Sequence, residues 1–384
     1  GQTILIFPAP DASTYEEGLT RCRRFIERWN GHPRIQPAVA PHAWYTATPE
    51  LLRACTDLAM AFDVPLHTHV SETGLEVENC RDDNQMDVVP WLERHGILNT
   101  KLLAAHCVHL DRSEMFLLKG AGAGVAHCPT SNLKLASGIA QVGNMLEIGL
   151  NVGVGTDGPA SNNDLDMFEE THLAAILAKT ASGDPTVLPA KQALEAATIG
   201  GARALHMAEV TGSLEVGKRA DISVVGIDGM HNHPHFRHNP DAVYSQLIYS
   251  TKASDVEHVL CDGRWLMRDG ELQTVDEAQT RHEAALVAQQ IDAFVAERES
   301  TAYNKLVYLA GVERQESFEV QIKVPIGDDA AILAAIEGDE FEIVKHTHYR
   351  QFDHYFFFSS SDQDAATLRY REDEFVNADG EAVS

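Results

Sequence analysis

Short apolar runs alternate with amphipathic stretches along the first 155 residues of the chain. The apolar runs predict six buried strands, at Ile4–Phe7, Ile35–Ala40, Val64–Val70, Leu102–Cys107, Gly124–Cys128 and Asn151–Gly155. Apolar positions at helical spacing predict five helices between them, at Thr14–Trp29, Thr48–Phe62, Met86–His95, Asp111–Lys119 and Ala140–Ile148. Strands that alternate with helices in this way indicate βα units and a parallel sheet.

The six βα units favour a barrel over a dinucleotide-binding sheet, because no Gly-x-Gly-x-x-Gly turn follows the first strand. A closed (β/α)₈ barrel needs eight strands, and an open sheet of six would expose unpaired edges. We therefore predict an α/β fold with an incomplete (β/α)₈ TIM-type barrel. Its two missing strands are expected upstream of Gly1, so that the chain is interpreted as a fragment.

The pattern changes after Leu205. Two amphipathic helices are predicted up to this point, at Asp164–Lys179 and Pro189–His206. Four β segments follow, at Gly212–Asp221, Ile222–Val225, Val256–Leu260 and Arg264–Met267, the last two joined by an Asp-Gly hairpin turn. They predict a small β module, closed by a charged helix at Val275–Glu297. Strict alternation from Phe318 predicts the start of a second domain, a partial α+β or β-barrel unit.

These boundaries give five predicted regions of the chain. They are the barrel (1–210), the β module (211–275), the closing helix (276–297), a polar linker (298–317) and the partial second domain (318–384).

Charge and cysteine content exclude several classes of protein. The formal net charge of −27 argues against nucleic acid and anionic membranes as partners, because an acidic surface repels them. No apolar run reaches the roughly 18 residues that a membrane helix requires. The six cysteines include no Cys-x-x-Cys pair, which argues against a disulfide framework or a zinc ribbon. A reduced, cytoplasmic compartment fits this composition best.

Candidate chemistry lies at the carboxyl ends of the predicted strands, which form the active face of such a barrel. Six polar residues occur there: His42, His69, Glu72, His106, His127 and Asp157. Histidine and carboxylate donors suit one divalent metal ion, with zinc favoured and iron the alternative. We predict that His69 and Asp157 bind the metal, that Glu72 moves protons, and that His106 orients the attacking water or the developing oxyanion. For His127, a structural role and a place near the substrate both stay open.

The loops after the strands are expected to be structural. Ser131, Asn132 and Lys134 are interpreted as loop-shaping residues. Asp164 is interpreted as a helix cap and not as a ligand.

Residues 1–297 resemble the metal-dependent amidohydrolase superfamily, and within it the 5′-methylthioadenosine/S-adenosylhomocysteine deaminases. The likeness rests on motifs at Pro41–Tyr45, His69-x-x-Glu72-Thr73, Ala104–Cys107, His127–Gly138, Gly155–Asn163 and Gly212–Asp221. It places His69 on the fifth barrel strand and Asp157 on the eighth, so that strands three to eight are present. The family's His-x-His on the first strand and its ribose-binding glutamate are absent from the sequence.

The resemblance implies hydrolytic deamination of the adenine ring of a small nucleoside substrate by a metal-activated water, giving the inosine analogue and ammonia. Glu72 would bridge the ring nitrogen and the water, and Asp157 would accept the water's proton while on the metal. His42 would contact the ribose or the amino-acid end of the substrate. Arg21, Arg23 and Arg24 are candidates for binding the homocysteine carboxylate. A homo-oligomer is left open.

The tail resembles the start of a CYTH, or triphosphate tunnel, domain. The family signature Glu-x-Glu-x-Lys reads Glu319-Val320-Gln321-Ile322-Lys323 here, with glutamine in the second acidic position. Asp353–Phe356 and Leu368–Arg371 also fit.

Two alternatives to the deaminase stay open. One is another ring-amine aminohydrolase, acting on guanine, cytosine or a triazine. The other is an inactive fragment whose tail binds triphosphate.

Overall fold

The computed structural model describes residues 2–9, 12–236, 238–298, 348–357 and 367–376. The chain divides into two compact units, Gly1–Ile291 and Asp292–Ser384. Residues 299–317 of the predicted linker and the signature at Glu319–Lys323 lie outside the described residues.

Six parallel strands form one sheet in the first unit, and they are hydrogen-bonded in chain order. They are β1 (Gln2–Ile4), β2 (Val39–Pro41), β3 (Leu66–Val70), β4 (Leu102–His106), β5 (Gly124–His127) and β6 (Asn151–Val154). Their order confirms the predicted parallel α/β architecture and is consistent with a TIM-type barrel. The closure of a barrel and the two upstream strands stay predictions.

Helices lie between the strands, as the pattern predicts. In this part of the chain they are α1 (Tyr15–Trp29), α2 (Pro49–Phe62), α3 (Gly74–Asn84), α4 (Val88–Arg94), α5 (Arg112–Gly120), α6 (Pro129–Lys134) and α7 (Val142–Ile148). The Thr48 hydroxyl accepts a hydrogen bond from the Leu51 N–H at 3.2 Å, and Pro49 occupies the first turn. These two features begin α2 where the sequence places its start.

The core lies between the sheet and these helices. Strand side chains that are at most 2% exposed include Leu66, Leu102, Val125 and Val152. The buried face of α2 carries Leu51, Leu52, Cys55, Leu58 and Ala59. Each large apolar side chain buried in this way stabilises the fold by about 1.5–3 kcal/mol.

The side chains of β3 alternate between two environments. Leu66, Thr68 and Val70 are buried, whereas His67 and His69 are half-buried. Since successive side chains of a strand point to opposite faces of a sheet, the two histidines share the face away from that buried set.

The rest of the first unit adds six helices and a second sheet. The helices are α8 (Pro159–Asn162), α9 (Met167–Ser182), α10 (Ala190–Glu195), α11 (Gly201–Ala204), α12 (Ala242–Tyr249) and α13 (Glu277–Arg298), which runs into the second unit. The sheet is antiparallel in the order β10-β9-β8-β7, from β7 (Ile222–Val225), β8 (Val256–Cys261), β9 (Arg264–Arg268) and β10 (Glu271–Leu272). The strands at 222, 256 and 264 and the Asp262-Gly263 turn occur where the sequence places them.

The β segment expected at Gly212–Asp221 is wrong. The structure has turns there, with Gly212 at φ +93° and Gly217 at φ +97°. The backbone folds back at this point, so that the Arg219 N–H donates to the Val210 carbonyl at 2.8 Å. Glycines in the left-handed region turn the chain and prevent the extended pairing that a strand needs.

Two further differences from the sequence predictions concern helices. Helix α3 was not predicted, because Val77 and Cys80 are its only buried apolar side chains. The single helix expected at Pro189–His206 is interrupted by a π-helical turn at Ala196–Gly200. The interruption lies where the chain crosses β6 so closely that a side chain on Gly153 would meet Gly201 Cα at 2.7 Å.

The expected closing role of α13 is not seen in its first part. Every side chain from Glu277 to Ile291 is exposed, so this stretch covers no core in the described part of the first unit.

In the second unit, β11 (His348–Phe357) and β12 (Thr367–Val376) form an antiparallel pair that aligns Asp353 with Arg371. The CYTH-like domain stays a prediction.

Two further expectations concern cysteines and membranes. All six cysteines are free thiols, as expected. Among the described residues, no helix combines the length and the apolar character needed to span a bilayer.

Candidate active site

The predicted site residues come together at one end of the parallel sheet. His69 lies on β3, His106 ends β4, and Asp157 follows β6. One ligand atom from each of these three lies within 4.8 Å of the others. Strand register produces this convergence, because Val70 next to His69 aligns with His106 on the adjacent strand. Among the described residues, His67 does not belong to this group of possible ligand atoms.

Backbone strain marks the same strand ends. Ser71, His106, Cys107 and Asp157 all have positive φ, at 49°, 68°, 52° and 61°. Such conformations in residues other than glycine cost roughly 1–3 kcal/mol each and persist where surrounding contacts impose them. Here the Cys107 N–H donates to the Val70 carbonyl at 3.0 Å, which ties the end of β4 to the end of β3.

His106 is held by a hydrogen bond to a loop side chain. It is 1% exposed, and its Nδ1 lies 2.8 Å from Asn132 Oδ1. Because a carbonyl oxygen only accepts, the bonded Nδ1 carries a proton, and the lone pair of the neutral ring is then on Nε2. The Nε2 atom lies 3.8 Å from Glu72 Oε2, so these two side chains face each other.

The imidazole of His69 is in the form that binds a metal. Burial, together with the neighbouring His106 and His42, lowers the pKa of His69 to about 4, so the ring is neutral at pH 7. Its Nδ1 is buried and has no hydrogen-bond partner in the described part of the chain. The ring centre lies 4.7 Å from that of His42 and 5.1 Å from that of His106.

His127 and His42 flank this group. His127 is 2% exposed, and burial lowers its pKa to about 4. Its Nδ1 also lacks a partner within the described ranges, so its structural and substrate-proximal roles both stay predictions. The Nδ1 atom of His42 lies 2.9 Å from Thr46 Oγ1, and burial lowers the pKa of this ring too.

Asp157 receives two hydroxyl hydrogen bonds on one oxygen. Ser131 Oγ donates to Oδ2 at 2.7 Å, and Ser161 Oγ donates to the same atom at 2.6 Å. Burial alone would raise the pKa of Asp157. The two hydroxyl hydrogen bonds and one from the Gly158 backbone lower it by more, so the pKa lies below its ordinary value. The side chain is therefore an anionic donor group held in one orientation.

Glu72 is fixed at both its side chain and its backbone. Its Oε1 accepts from Ser137 Oγ at 3.3 Å. The backbone N–H groups of Ser71 and Glu72 donate to the carboxylate of Glu76, at 3.2 and 2.6 Å. Glu76 lies on α3 and is 5% exposed, and burial raises its pKa against the effect of these bonds.

Replacing Glu76 by glutamine is expected to lower the free energy of unfolding by about 1–3 kcal/mol, because one buried N–H loses its acceptor. Urea unfolding measures this loss. Glu78→Gln, at an exposed position of the same helix, is the control and should unfold as the wild type does. An unchanged midpoint for Glu76→Gln would mean that this carboxylate does not anchor the Glu72 backbone.

Several contacts of the site were not predicted from the sequence. Ser131 and Asn132, expected only to shape a loop, contact Asp157 and His106 directly. Lys134 does bridge the loops, since its Nζ donates to the Ala160 carbonyl at 2.9 Å. Asp164 is not the helix cap: Asp166 caps α9 by accepting from the N–H groups of its first turn.

The three candidate arginines lie on α1, at exposed positions. The guanidinium carbon of Arg23 lies 5.8 Å from the centre of the Phe62 ring. Their assignment to a substrate carboxylate stays a prediction.

The donor set fits a catalytic metal ion. Two imidazoles and one carboxylate offer nitrogen and oxygen donor atoms of the types that zinc binds in proteins. A buried ring nitrogen without a partner on His69 fits the same interpretation, because buried polar atoms normally have one.

Comparisons with known proteins identify a family. The sequence model of the amidohydrolase family matches residues 2–266. The chain is 44% identical over 278 residues to the 5-methylthioadenosine/S-adenosylhomocysteine deaminase of Desulforudis audaxviator, covering 72% of this chain and 64% of that protein. It is 45% identical over 283 residues to the enzyme of the same name from Syntrophobacter fumaroxidans, covering 73% and 64%. The chain thus spans slightly under two thirds of the length of these relatives.

A solved structure shows the same fold. It is the crystal structure of an adenosine deaminase from Xanthomonas campestris with bound zinc, which is 38% identical and aligns with a TM-score of 0.73. The alignment covers 76% of this chain and 66% of that one.

Proposed function

Because this chain belongs to the amidohydrolase family, we propose that it carries the active site of a metal-dependent aminohydrolase that deaminates the adenine ring of 5′-methylthioadenosine or S-adenosylhomocysteine. The observation that carries the proposal is the convergence of His69, His106 and Asp157, with Glu72 beside them. Relatives that are 44% and 45% identical carry the name of this deaminase, which supports the substrate class.

His69 and Asp157 would hold one divalent ion, and His106 lies within reach of the same point. Zinc is favoured over iron, because the related deaminase from Xanthomonas campestris was solved with zinc. When bound, such an ion lowers the pKa of a water molecule and so supplies a nucleophile at neutral pH.

Proton transfer falls to two carboxylates. Asp157, whose low pKa keeps it ionised, accepts the proton that the water loses. Glu72 Oε2, which lies 3.8 Å from His106 Nε2, donates a proton to the ring nitrogen of adenine. As the C–N bond breaks, Asp157 would pass the proton that it accepted to the leaving amine, which departs as ammonia. The second proton of the attacking water would return to Glu72. The lone pair on His106 Nε2 accepts a hydrogen bond from the water and thereby orients it.

His42 is assigned to the substrate. Its ring packs against that of His69, and Thr46 fixes its Nδ1. From this position it contacts the ribose or the amino-acid end while Glu72 and Asp157 face the purine.

A substrate screen of the full-length protein tests the proposal. Zinc-loaded enzyme is expected to deaminate S-adenosylhomocysteine and 5′-methylthioadenosine faster than adenosine, and to leave guanine unchanged. The change in purine absorbance and the release of ammonia measure the reaction. Ammonia from guanine alone would favour the rival ring-amine aminohydrolase, and no turnover of any adenine nucleoside would overturn the proposal.

A further inference from the structure

A buried carboxylate on α9 contacts the two short helices that follow β5 and β6. Glu170 on α9 is 1% exposed, and both its oxygens accept hydrogen bonds. The Thr130 backbone N–H donates to Oε2 at 3.2 Å, and Asn162 Nδ2 donates to Oε1 at 2.6 Å. Burial of a carboxylate costs free energy unless donors replace its hydration, and these two donors do so for Glu170.

The two donors of Glu170 are the sequence neighbours of the two donors of Asp157. Thr130 precedes Ser131, and Asn162 follows Ser161. Both serine hydroxyls donate to Asp157 Oδ2. The buried carboxylate of Glu170 therefore binds the two short helices, α6 and α8, whose serine hydroxyls orient Asp157.

Asn162 is itself fixed in a tight turn. It is 5% exposed, and its Oδ1 accepts from the Leu165 N–H at 2.6 Å. Asn163 and Leu165 have positive φ, at 86° and 60°, which are unfavourable conformations for such residues. Because Oδ1 is engaged with the turn, Nδ2 is directed to Glu170.

We propose that Glu170 is a positioning residue of the metal site: it binds the short helices α6 and α8 that carry Ser131 and Ser161, so that their hydroxyls keep the Asp157 carboxylate in its ligand orientation. The proposal rests on the proposed function only through the role of Asp157 as a metal ligand. Partners that orient metal ligands typically change metal affinity by about 10- to 100-fold when they are removed.

A reciprocal pair of substitutions tests the proposal. Glu170→Gln keeps one oxygen acceptor and replaces the other oxygen by an amide group, which donates. One of the two existing donors, the Thr130 N–H or Asn162 Nδ2, then faces an N–H group instead of an oxygen. Asn162→Asp in the same protein replaces the Asn162 amide donor by a carboxylate oxygen, which accepts. The side-chain amide of the glutamine at position 170 can then donate to this oxygen. The other carboxylate oxygen at position 162 still accepts from the Leu165 N–H.

We expect Glu170→Gln alone to weaken zinc binding by about 10- to 100-fold. The double variant Glu170→Gln/Asn162→Asp should return to within a few-fold of wild type. Competition with a chromophoric chelator gives the affinity, and the visible spectrum of the Co²⁺-loaded protein reports the geometry of the ligands.

Glu114→Gln is the matched control. Glu114 on α5 is also 1% exposed and accepts two backbone N–H groups, from Val89 at 3.1 Å and Asp111 at 3.0 Å. It should lower the urea midpoint as Glu170→Gln does, but leave zinc affinity and the cobalt spectrum unchanged.

The outcomes separate the two proposals. If the wild type binds zinc and Glu170→Gln loses stability but keeps wild-type affinity and spectrum, Glu170 is only structural and this inference is wrong. If the wild type binds no zinc, the metal-dependent function itself is wrong. If the single variant does not fold, the double variant carries the test, and a tenfold or greater loss of affinity in the folded double variant overturns the inference.

Discussion

Asp157→Ala is expected to abolish both metal binding and turnover. The substitution removes the only carboxylate of the ligand group and leaves the hydroxyls of Ser131 and Ser161 without their acceptor. The loss of zinc affinity should exceed the roughly 10- to 100-fold that follows removal of a partner of a metal ligand. Metal content after dialysis and the deamination rate measure the two effects.

Asp164→Ala is the control for this substitution. Asp164, Asp166 and Glu169 form a second group of ligand atoms within 4.8 Å of one another, at the start of α9. If zinc binds only at the proposed site, Asp164→Ala keeps one equivalent of metal and wild-type turnover. Retention of zinc by Asp157→Ala with loss of zinc by Asp164→Ala would place the metal at this second group.

Glu72→Gln is expected to keep the metal and lose turnover by about 10²- to 10⁴-fold, the usual contribution of general acid–base catalysis. Glutamine has nearly the shape of glutamate and can still accept from Ser137 Oγ, but it carries no proton to donate to a ring nitrogen. Zinc content and the rate of ammonia release, measured on the same preparation, separate the two properties.

Ser137→Ala provides the comparison for Glu72→Gln. It removes the hydroxyl that orients Glu72 and leaves the carboxylate, so a smaller loss of rate is expected with full metal content. Equal loss of metal in Glu72→Gln and Asp157→Ala would show that the division of roles between ligand and proton carrier is wrong.

The sequence predicts the frame of the site well because that frame depends on local periodicity. Each strand is a short apolar run, and each functional residue lies at the end of one of them or directly after it. His69, His106 and Asp157 could therefore be assigned to one end of a parallel sheet before any contact was known. Their convergence is then a consequence of parallel register.

The sequence does not predict the contacts that orient these residues. Glu76 and Glu170 look like solvated positions of polar helices, because nothing local shows that they are buried. The partner of Glu170 at Thr130 is 40 residues away, and that distance in sequence is bridged only in the fold. Asn132 and Ser131 lie in a motif that the sequence does mark, but their hydrogen bonds depend on loop conformation.

The ligands of the proposed ion come from different βα units, with β4 and β5 between β3 and the loop after β6. An unfolded chain does not hold these side chains together, so the ion binds almost exclusively to the native state. Linkage then makes apparent stability a function of free zinc, with a gain of about 2.7 kcal/mol at one hundred times the dissociation constant. A cell that limits zinc would thereby control how long this protein survives proteolysis, in addition to how fast it works.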